Sequence, residues 1–403
     1  MRILLIHNHY RSGLPSGENQ VYFLEHALLE SHGHRIVVFE RHSDELTNQG
    51  MLGVLRGAAA TPWNPFSARR LRALLADFQP DVVHVHNTFP LISPAIFAAA
   101  NGFPRVITLH NYRLFCASGV VTRNGTICTL CLDRQSAYPA LRYGCYRNSR
   151  VATLPLFGNI TLHHWLGTWR NQVESFIVLS EFQKRVMTAA GLPAERLHVK
   201  PNFFPGSPIV VPWEDRRQRV VFVGRLSEEK GVADLIDAWQ RWGMDAPELL
   251  VVGDGPLRGR LEYLARSTRV SSIRFIGQIS FEATLRLIGE SRLMVLPSRW
   301  FEVFGMVLIE AFAHGTPAVV SNLGSLPDLV SEGNGAVFQP GDSLDLLRCV
   351  QDLWQDEDRL ERMGVAARRM FEKRFTEEAN YSRLMEIYTL AITLARNAEN
   401  RNI

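Results

Sequence analysis

Val220-Val221-Phe222-Val223-Gly224-Arg225-Leu226-Ser227-Glu228-Glu229-Lys230-Gly231, running into the helical pattern Val232–Trp242, is the stretch on which the fold turns. A short β-branched apolar run reads as a buried strand, and glycine and charge break it before a helix begins. Strands that feed helices through tight polar loops build buried parallel sheets. The loop also carries chemistry. Gly224 permits close backbone approach, Arg225 offers a planar fork and Lys230 a point charge, so the two cations can hold two phosphates before a helix N-terminus. A solvated loop in which Arg225 and Lys230 pair with Glu228 and Glu229 accounts for the same residues without a ligand.

The same alternation extends in both directions. Strands are expected at Ile3–His7, Ile36–Glu40, Val82–His86, Val106–His110, Phe176–Ser180 and His198–Lys200, then at Val220–Gly224, Leu249–Gly253, Ile273–Gly277, Leu293–Pro297, Ala318–Ser321 and Ala336–Phe338. The expected fold class is therefore α/β, with two doubly wound units in tandem facing across a cleft. Residues 1–200 form the first, acceptor-side unit, with a cysteine-rich insertion at 111–148. Pro201-Asn202-Phe203-Phe204-Pro205-Gly206-Ser207-Pro208 breaks both periodicities and opens a linker over 201–218. Residues 219–375 form the second unit. Thr376 caps a last helix, about Glu377–Arg396, within a tail at 376–403.

At 403 residues the chain exceeds the size at which one core keeps growing, which agrees with two domains. Its 46% hydrophobic and 21% charged composition is that of a globular protein, and no apolar run reaches the ~20 residues of a membrane span. The apolar run after Met1 is too short for a signal peptide, so a cytoplasmic location is expected. The net charge of +4 divides into +8 over 1–200 and −4 over 201–403. A basic first half suits an anionic membrane surface, here the inner face, or a phosphate-bearing acceptor; no stripe of aromatics among the arginines speaks for nucleic acid.

Phe301-Glu302-Val303-Phe304-Gly305-Met306-Val307-Leu308-Ile309-Glu310-Ala311 sets two carboxylates around a turn that enters a helix. Free amides at Gly305, Met306 and Val307 favour an anion there. Carboxylates repel phosphate and accept from hydroxyls, so Glu302 suits one sugar and Glu310 another. A packed amphipathic helix with both acids solvated is the alternative. Gly253-Asp254-Gly255-Pro256 reads as a tight turn that, with Gly277-Gln278-Ile279, either lines a base pocket or only turns the chain.

In the first half the loop after strand one, His9 to Glu18, holds Gly17 before the helix Asn19–Ser31, where backbone amides can reach an anion. No G-x-G-x-x-G pattern follows, which counts against a nicotinamide or flavin enzyme. His110, at the end of its strand, can donate to a phosphate or a sugar hydroxyl, although His7, His84 and His86 hold comparable places. Cys116, Cys128, Cys131 and Cys145 have the look of a tetrathiolate zinc site; free or redox-active thiols and disulfides are the other readings. The aromatic stretch Thr153–Arg170 suits either a membrane interface or a helix packed on the first sheet.

Taken together, Gly224–Gly231, Val252-Gly253-Asp254-Gly255-Pro256 and Glu302-x7-Glu310 followed by Ala311-Phe312-Ala313-His314-Gly315-Thr316-Pro317 resemble the family-4 retaining glycosyltransferases of the GT-B fold. The resemblance is tight over 219–340 and looser in the first half, where Gly17, His110 and Val199-Lys200-Pro201-Asn202 echo it. It implies that Arg225 and Lys230 bind the donor diphosphate and stabilise the leaving group. Glu302 would hold donor-sugar hydroxyls, Glu310 the ribose, His110 the sugar or its phosphate, and Gly17 would bring backbone close to the phosphates. No catalytic metal or other cofactor is implied, and the tail at 376–403 would cross back to the first unit. The donor substrate would be a nucleotide-diphosphate sugar and the acceptor a saccharide or a lipid-linked group. A sugar-nucleotide epimerase on the same fold and a non-catalytic sugar-nucleotide-binding protein are the rival functions. Ser298-Arg299-Trp300-Phe301-Glu302-Val303-Phe304 departs from the family in placing aromatics and valine around the first acid.

Overall fold

The computed structural model describes residues 1–10, 16–47, 50–266 and 272–401. The chain divides into two compact units, Met1–Arg123 with Cys128–Lys200 and Asn380–Ile403, and Asn124–Ile127 with Pro201–Ala379. Most of the expected loop between Tyr10 and Ser16 lies outside the described residues.

Every strand expected from the sequence forms. The first unit holds β1 (Arg2–His9), β2 (Arg35–His42), β3 (Val82–Asn87), β4 (Arg105–Thr108) and the two-residue strand β5 (Thr122–Arg123); β6 (Thr126–Ile127) belongs to the second unit, and β7 (Ser175–Val178) and β8 (Leu197–Val199) complete the first. They pair in parallel in the order β2-β1-β3-β4-β7-β8. β4 stops two residues short of His110; the Leu109 carbonyl accepts from the Gln183 side chain instead of continuing the ladder. His110 therefore stands in the loop beyond the carboxyl edge. The first helix starts at Gly17 rather than Asn19, since Ser16 Oγ accepts from the Asn19 amide.

Ile3, Leu5, Val82, Val106 and Ile177 of this sheet pack against Tyr22 and Leu29 and against Leu384, Ile387, Tyr388 and Ala391 of the helix Glu377–Arg401. Each such buried side chain stabilises by roughly 1.5–3 kcal/mol. Thr376 Oγ1 accepts from the Ala379 amide at the start of that helix.

The second unit holds β9 (Arg217–Val223), β10 (Glu248–Val252), β11 (Ile273–Gly277), β12 (Ser291–Leu296), β13 (Ala318–Ser321) and β14 (Gly335–Phe338). The order is β11-β10-β9-β12-β13-β14, again all parallel. The direction of winding thus reverses between β9 and β12. The loops leaving the carboxyl ends of those two strands flank that point, and such a switch point is where a ligand crevice lies in open α/β sheets. Among the described residues no helix is long and apolar enough to cross a membrane.

Candidate active site

The loop after β9 and the loop after β12 meet at the switch point. Gly231 makes the meeting geometrically feasible: its φ is +67°, and a Cβ there would lie 1.9 Å from the Pro297 carbonyl oxygen. The Arg299 amide donates to the Glu229 carbonyl at 2.8 Å, and the Arg299 guanidinium pairs with Asp234 on the following helix. These ties deliver Lys230 to Glu302. Lys230 Nζ donates to Glu302 Oε1 at 2.5 Å, Ser298 Oγ donates to the same oxygen at 2.8 Å, and the Trp300 ring centroid lies 5.1 Å from the ammonium. Burial works to raise the Glu302 carboxyl, but Lys230 and the hydrogen bonds prevail and hold it below the ordinary carboxylate range. Ser325 Oγ donates to the Glu302 carbonyl at 2.7 Å and fixes its backbone.

Lys230 is therefore not paired with Glu228 or Glu229, and Glu229 instead accepts from Ser227. Arg225 is exposed, and its side chain makes no ion pair or hydrogen bond among the described residues. Gly224 is locked to the neighbouring loop, since its amide donates to Val252 and a Cβ on Gly253 would lie 2.0 Å from its carbonyl oxygen. The Gly253 amide in turn donates to Gly277, so the two glycine turns expected beside a base do adjoin.

Beyond Glu302 the chain enters the helix Met306–Ala313 through Gly305, which takes a left-handed φ of +86°. No side chain caps this helix. The first-turn amides of Met306 and Val307 therefore have no intrahelical acceptor. Glu310 sits one turn on, 9% exposed, with no hydrogen-bond partner for its carboxyl among the described residues. Burial alone raises that carboxyl to about 7. Both acids are thus buried, and the solvated-helix reading fails. The site combines the Lys230–Glu302 pair with an uncapped helix end and a second buried carboxyl, Glu310, one turn along.

In the first unit, a Cβ on Gly17 would meet nothing within 4 Å, so no protein group requires glycine there. The next residue, Glu18, has its carboxyl raised to about 7, burial being the main cause; it accepts from Tyr10 and Asn111. His110 Nε2 lies 3.0 Å from His86 Nδ1. Behind them stand Glu25, His84, His86 and Lys200, all buried, and none was singled out by the sequence reading for this role. A signal existed: His84 and His86 alternate on one face of a strand buried on both faces, where polar groups need partners.

Cys116 and Cys131 are buried, Cys128 and Cys145 half-buried, and none is in a disulfide. Burial, then the nearby Cys116, Cys145 and Cys128, push the Cys131 thiol up to about 12. The helix Arg150–Trp165 buries Thr153, Leu156, Ile160 and His163 while Val151, Leu154 and Trp165 remain exposed.

The second unit is matched by the family described as Glycosyl transferases group 1, over residues 208–370, and the first by Glycosyltransferase Family 4, over residues 17–205. The chain is 34% identical over 189 residues to the glycogen synthase of Mycobacterium tuberculosis, covering 45% of each chain. It thus spans less than half the length of that relative. It is 25% identical over 337 residues to the O-antigen chain mannosyltransferase C of Escherichia coli, covering 82% of this chain and 80% of the other. The solved structure of HepE from Anabaena in complex with UDP and glucose shares the fold, with a TM-score of 0.62 and 19% identity over 96% of this chain and 99% of that one. Adjoining family matches on both units, carried on two parallel six-stranded sheets, establish that the chain belongs to glycosyltransferase family 4 and has its GT-B architecture of two Rossmann-like domains.

Proposed function

We propose that this protein moves a sugar from a nucleotide-diphosphate donor to a hydroxyl of a saccharide or lipid-linked acceptor, with retention at the anomeric carbon, in polysaccharide or glycolipid synthesis. The observation that carries the reading is the meeting of Lys230 with Glu302 at the strand-order switch, beside the uncapped helix at Gly305. The UDP and glucose bound to HepE, and the sugar transfers named for the relatives, support a sugar nucleotide as donor.

As the bond from the anomeric carbon to the phosphate oxygen breaks, negative charge grows on the outer phosphate. Arg225, Lys230 and the amides at Gly305, Met306 and Val307 meet it, and charge met only as it develops lowers the barrier. Glu302 accepts from donor-sugar hydroxyls and Glu310 from the ribose. These groups supply the positive charge that a metal supplies elsewhere, so transfer is proposed to be metal-independent. The departing phosphate takes the proton of the acceptor hydroxyl as the new bond from carbon to oxygen forms on the same face.

Incubation with a panel of UDP-, GDP- and ADP-sugars and simple saccharide acceptors tests this. A glycosylated acceptor with retained configuration and free nucleoside diphosphate is expected. An altered sugar on the intact nucleotide, or binding without turnover, overturns it.

The first unit is read as the acceptor side, with His110 contacting the donor sugar or its phosphate and Gly17 near the phosphates. Peripheral contact of a cytoplasmic protein with an anionic inner membrane face is part of the proposal. Met51, Leu52, Val54, Leu55 and Phe66 are exposed, and Arg69, Arg70 and Arg72 are exposed on the helix that follows. Sedimentation with phosphatidylglycerol vesicles but not phosphatidylcholine vesicles is expected. Cys116, Cys128, Cys131 and Cys145 are proposed to hold structural zinc; elemental analysis finding no zinc in freshly purified protein removes it.

A further inference from the structure

His7-Asn8-His9 closes β1 and Glu40-Arg41-His42 closes β2, and the two strands pair in parallel with His7 opposite Glu40 and His9 opposite His42. Alternate residues of a strand share a face, so His9, Glu40 and His42 stand together at the carboxyl end of one face of the sheet. The backbone there is tied. The Ser43 amide and hydroxyl both donate to the His9 carbonyl, at 3.0 and 2.8 Å, and the His42 amide donates to Glu45 Oε1 at 3.1 Å.

The three side chains converge. His9 Nε2 lies 3.1 Å from Glu40 Oε1, the His9 and His42 rings stack with centroids 4.4 Å apart, and one ligand atom from each residue lies within 4.8 Å of the other two. Ligand atoms about 2.0–2.2 Å from a zinc ion stand roughly 3–3.5 Å from one another, so a small turn of the His42 side chain completes the set. His9 is buried, Glu40 half-buried and His42 exposed, which leaves the group open to an ion from solvent. Phe23 stacks on the His9 ring at 5.3 Å and braces it. His7, on the same face, is already engaged, its Nε2 lying 2.9 Å from Asn19 Oδ1. Glu25 with His84 and His86 forms a second such group among the described residues, but it is fully buried and Lys200 neutralises its carboxylate at 2.7 Å. At the ends of β1 and β2 the arginine nearest in sequence, Arg41, is paired with Glu45 instead.

We propose that His9, Glu40 and His42 bind a divalent transition-metal ion, zinc by preference, with a coordination position left open to water. Two imidazoles and one carboxylate form a donor set that suits zinc, whereas magnesium and calcium take oxygen ligands. The ion takes the place of the hydrogen between His9 Nε2 and Glu40 Oε1, which leaves to solvent as a proton, and it cross-links the ends of two strands. The site is separate from the cysteine cluster and takes no part in the proposed transfer, so it stands independently of the reading of Lys230 and Glu302.

The chain, stripped of metal by a chelator, is titrated with cobalt(II), a coloured stand-in for zinc, and followed by calorimetry and absorption. Binding at the cysteines announces itself by an intense thiolate charge-transfer band. A separate single equivalent, bound at micromolar free metal with only weak visible bands and blocked by prior zinc, is expected. His42→Ala, at an exposed position, and Glu40→Gln, which keeps an acceptor for His9, should each weaken that step roughly 100-fold or more, beyond the cost of losing an outer-shell partner, and leave the thiolate step unchanged. The absence of any step beyond thiolate binding, or a step that both variants retain at full affinity, overturns the proposal. A second arm uses the unaltered protein and depends on no variant folding. Proton–nitrogen correlation on isotope-labelled histidine, with zinc added, should move the nitrogen signals of two rings to those of a metal-bound imidazole. None, one or more than two such rings overturns it.

Discussion

Lys230 and Glu302, 72 residues apart in sequence, are joined by a 2.5 Å hydrogen bond that spans the reversal of strand order between β9 and β12. The carboxylate keeps the ammonium half-buried and oriented before any phosphate arrives. A donor diphosphate brings charge to the ammonium, and the donor sugar brings hydroxyls to the carboxylate, so one ligand satisfies both. Lys230→Ala removes the cation and leaves Glu302 buried without its partner. Turnover should fall by roughly 100-fold or more, the scale of losing one charge-stabilising donor, measured as kcat at saturating donor. Retention of full turnover would remove Lys230 from the reaction.

Glu302→Gln separates the two roles of that carboxylate. The amide no longer holds the ammonium by charge, so Lys230 is freer to meet a free nucleoside diphosphate. Calorimetry should show equal or tighter diphosphate binding, while kcat drops because the sugar hydroxyls lose their charged acceptor. Weaker diphosphate binding by this variant would show that the pair, not the ammonium alone, makes the phosphate site.

The strands could be read because each is a short apolar run between helical periods, and a parallel sheet covered on both faces imposes that pattern. The hairpin Thr122–Arg123 with Thr126–Ile127 escaped, since two-residue strands carry no periodicity. On the donor side the cations, Gly305 and both acids lie in two contiguous stretches, and local spacing reveals them. The Glu25–Lys200 pair is 175 residues apart, and only the folded sheet brings its members together. The burial of Glu302 and Glu310 did not follow from local spacing, which allowed both a ligand-facing and a solvated reading of the two acids.

Gly231 tests whether the switch-point geometry rests on close backbone approach. In Gly231→Ala the new Cβ meets the Pro297 carbonyl, and alanine is also disfavoured at this positive φ. The loop after β9 must withdraw, carrying Lys230 from Glu302. Stability of the second unit should fall by more than ~2 kcal/mol, and activity should fall further than the folded fraction does. Gly17→Ala is the contrast: no protein atom stands in the way, so thermal stability should be nearly unchanged.

Glu310 couples donor binding to protons. Its carboxyl rises from an ordinary 4.5 to about 7 in the folded chain. The folded state therefore binds the proton more tightly than the unfolded state, and the stability this gives below pH 4.5 is lost as pH rises through about 7. Ribose hydroxyls donating to the carboxylate favour its charged form, so diphosphate binding near pH 6.5 should release protons. Calorimetry in buffers of different ionisation enthalpy measures this, and Glu310→Gln should abolish the release. It should also weaken binding by roughly 10- to 100-fold, the worth of hydrogen bonds to a charged group, while stabilising the second unit above pH 7.

Acid should strike the first unit harder than the second. Burial is the largest cause that depresses His7 to about 3 and His84 to about 4, holds His110 well below its usual range and lowers His163 and His198. For each, the unfolded chain binds the proton near pH 6.5 and the folded unit refuses it, so stability is full above pH 6.5 and is lost as pH falls toward the folded values. Each such proton adds a slope of up to ~1.4 kcal/mol per pH unit. Facing them in the first unit, Glu18, raised to about 7, acts with the opposite sign, and it is outnumbered. Within the second unit His314 is lowered and Glu310 raised, so the two act with opposite signs. Calorimetric unfolding at about pH 7.5 and pH 5.5 should show the transition of the first unit moving down more than that of the second. A larger loss in the second unit would mean that the buried imidazoles of the first are reached by protons without unfolding.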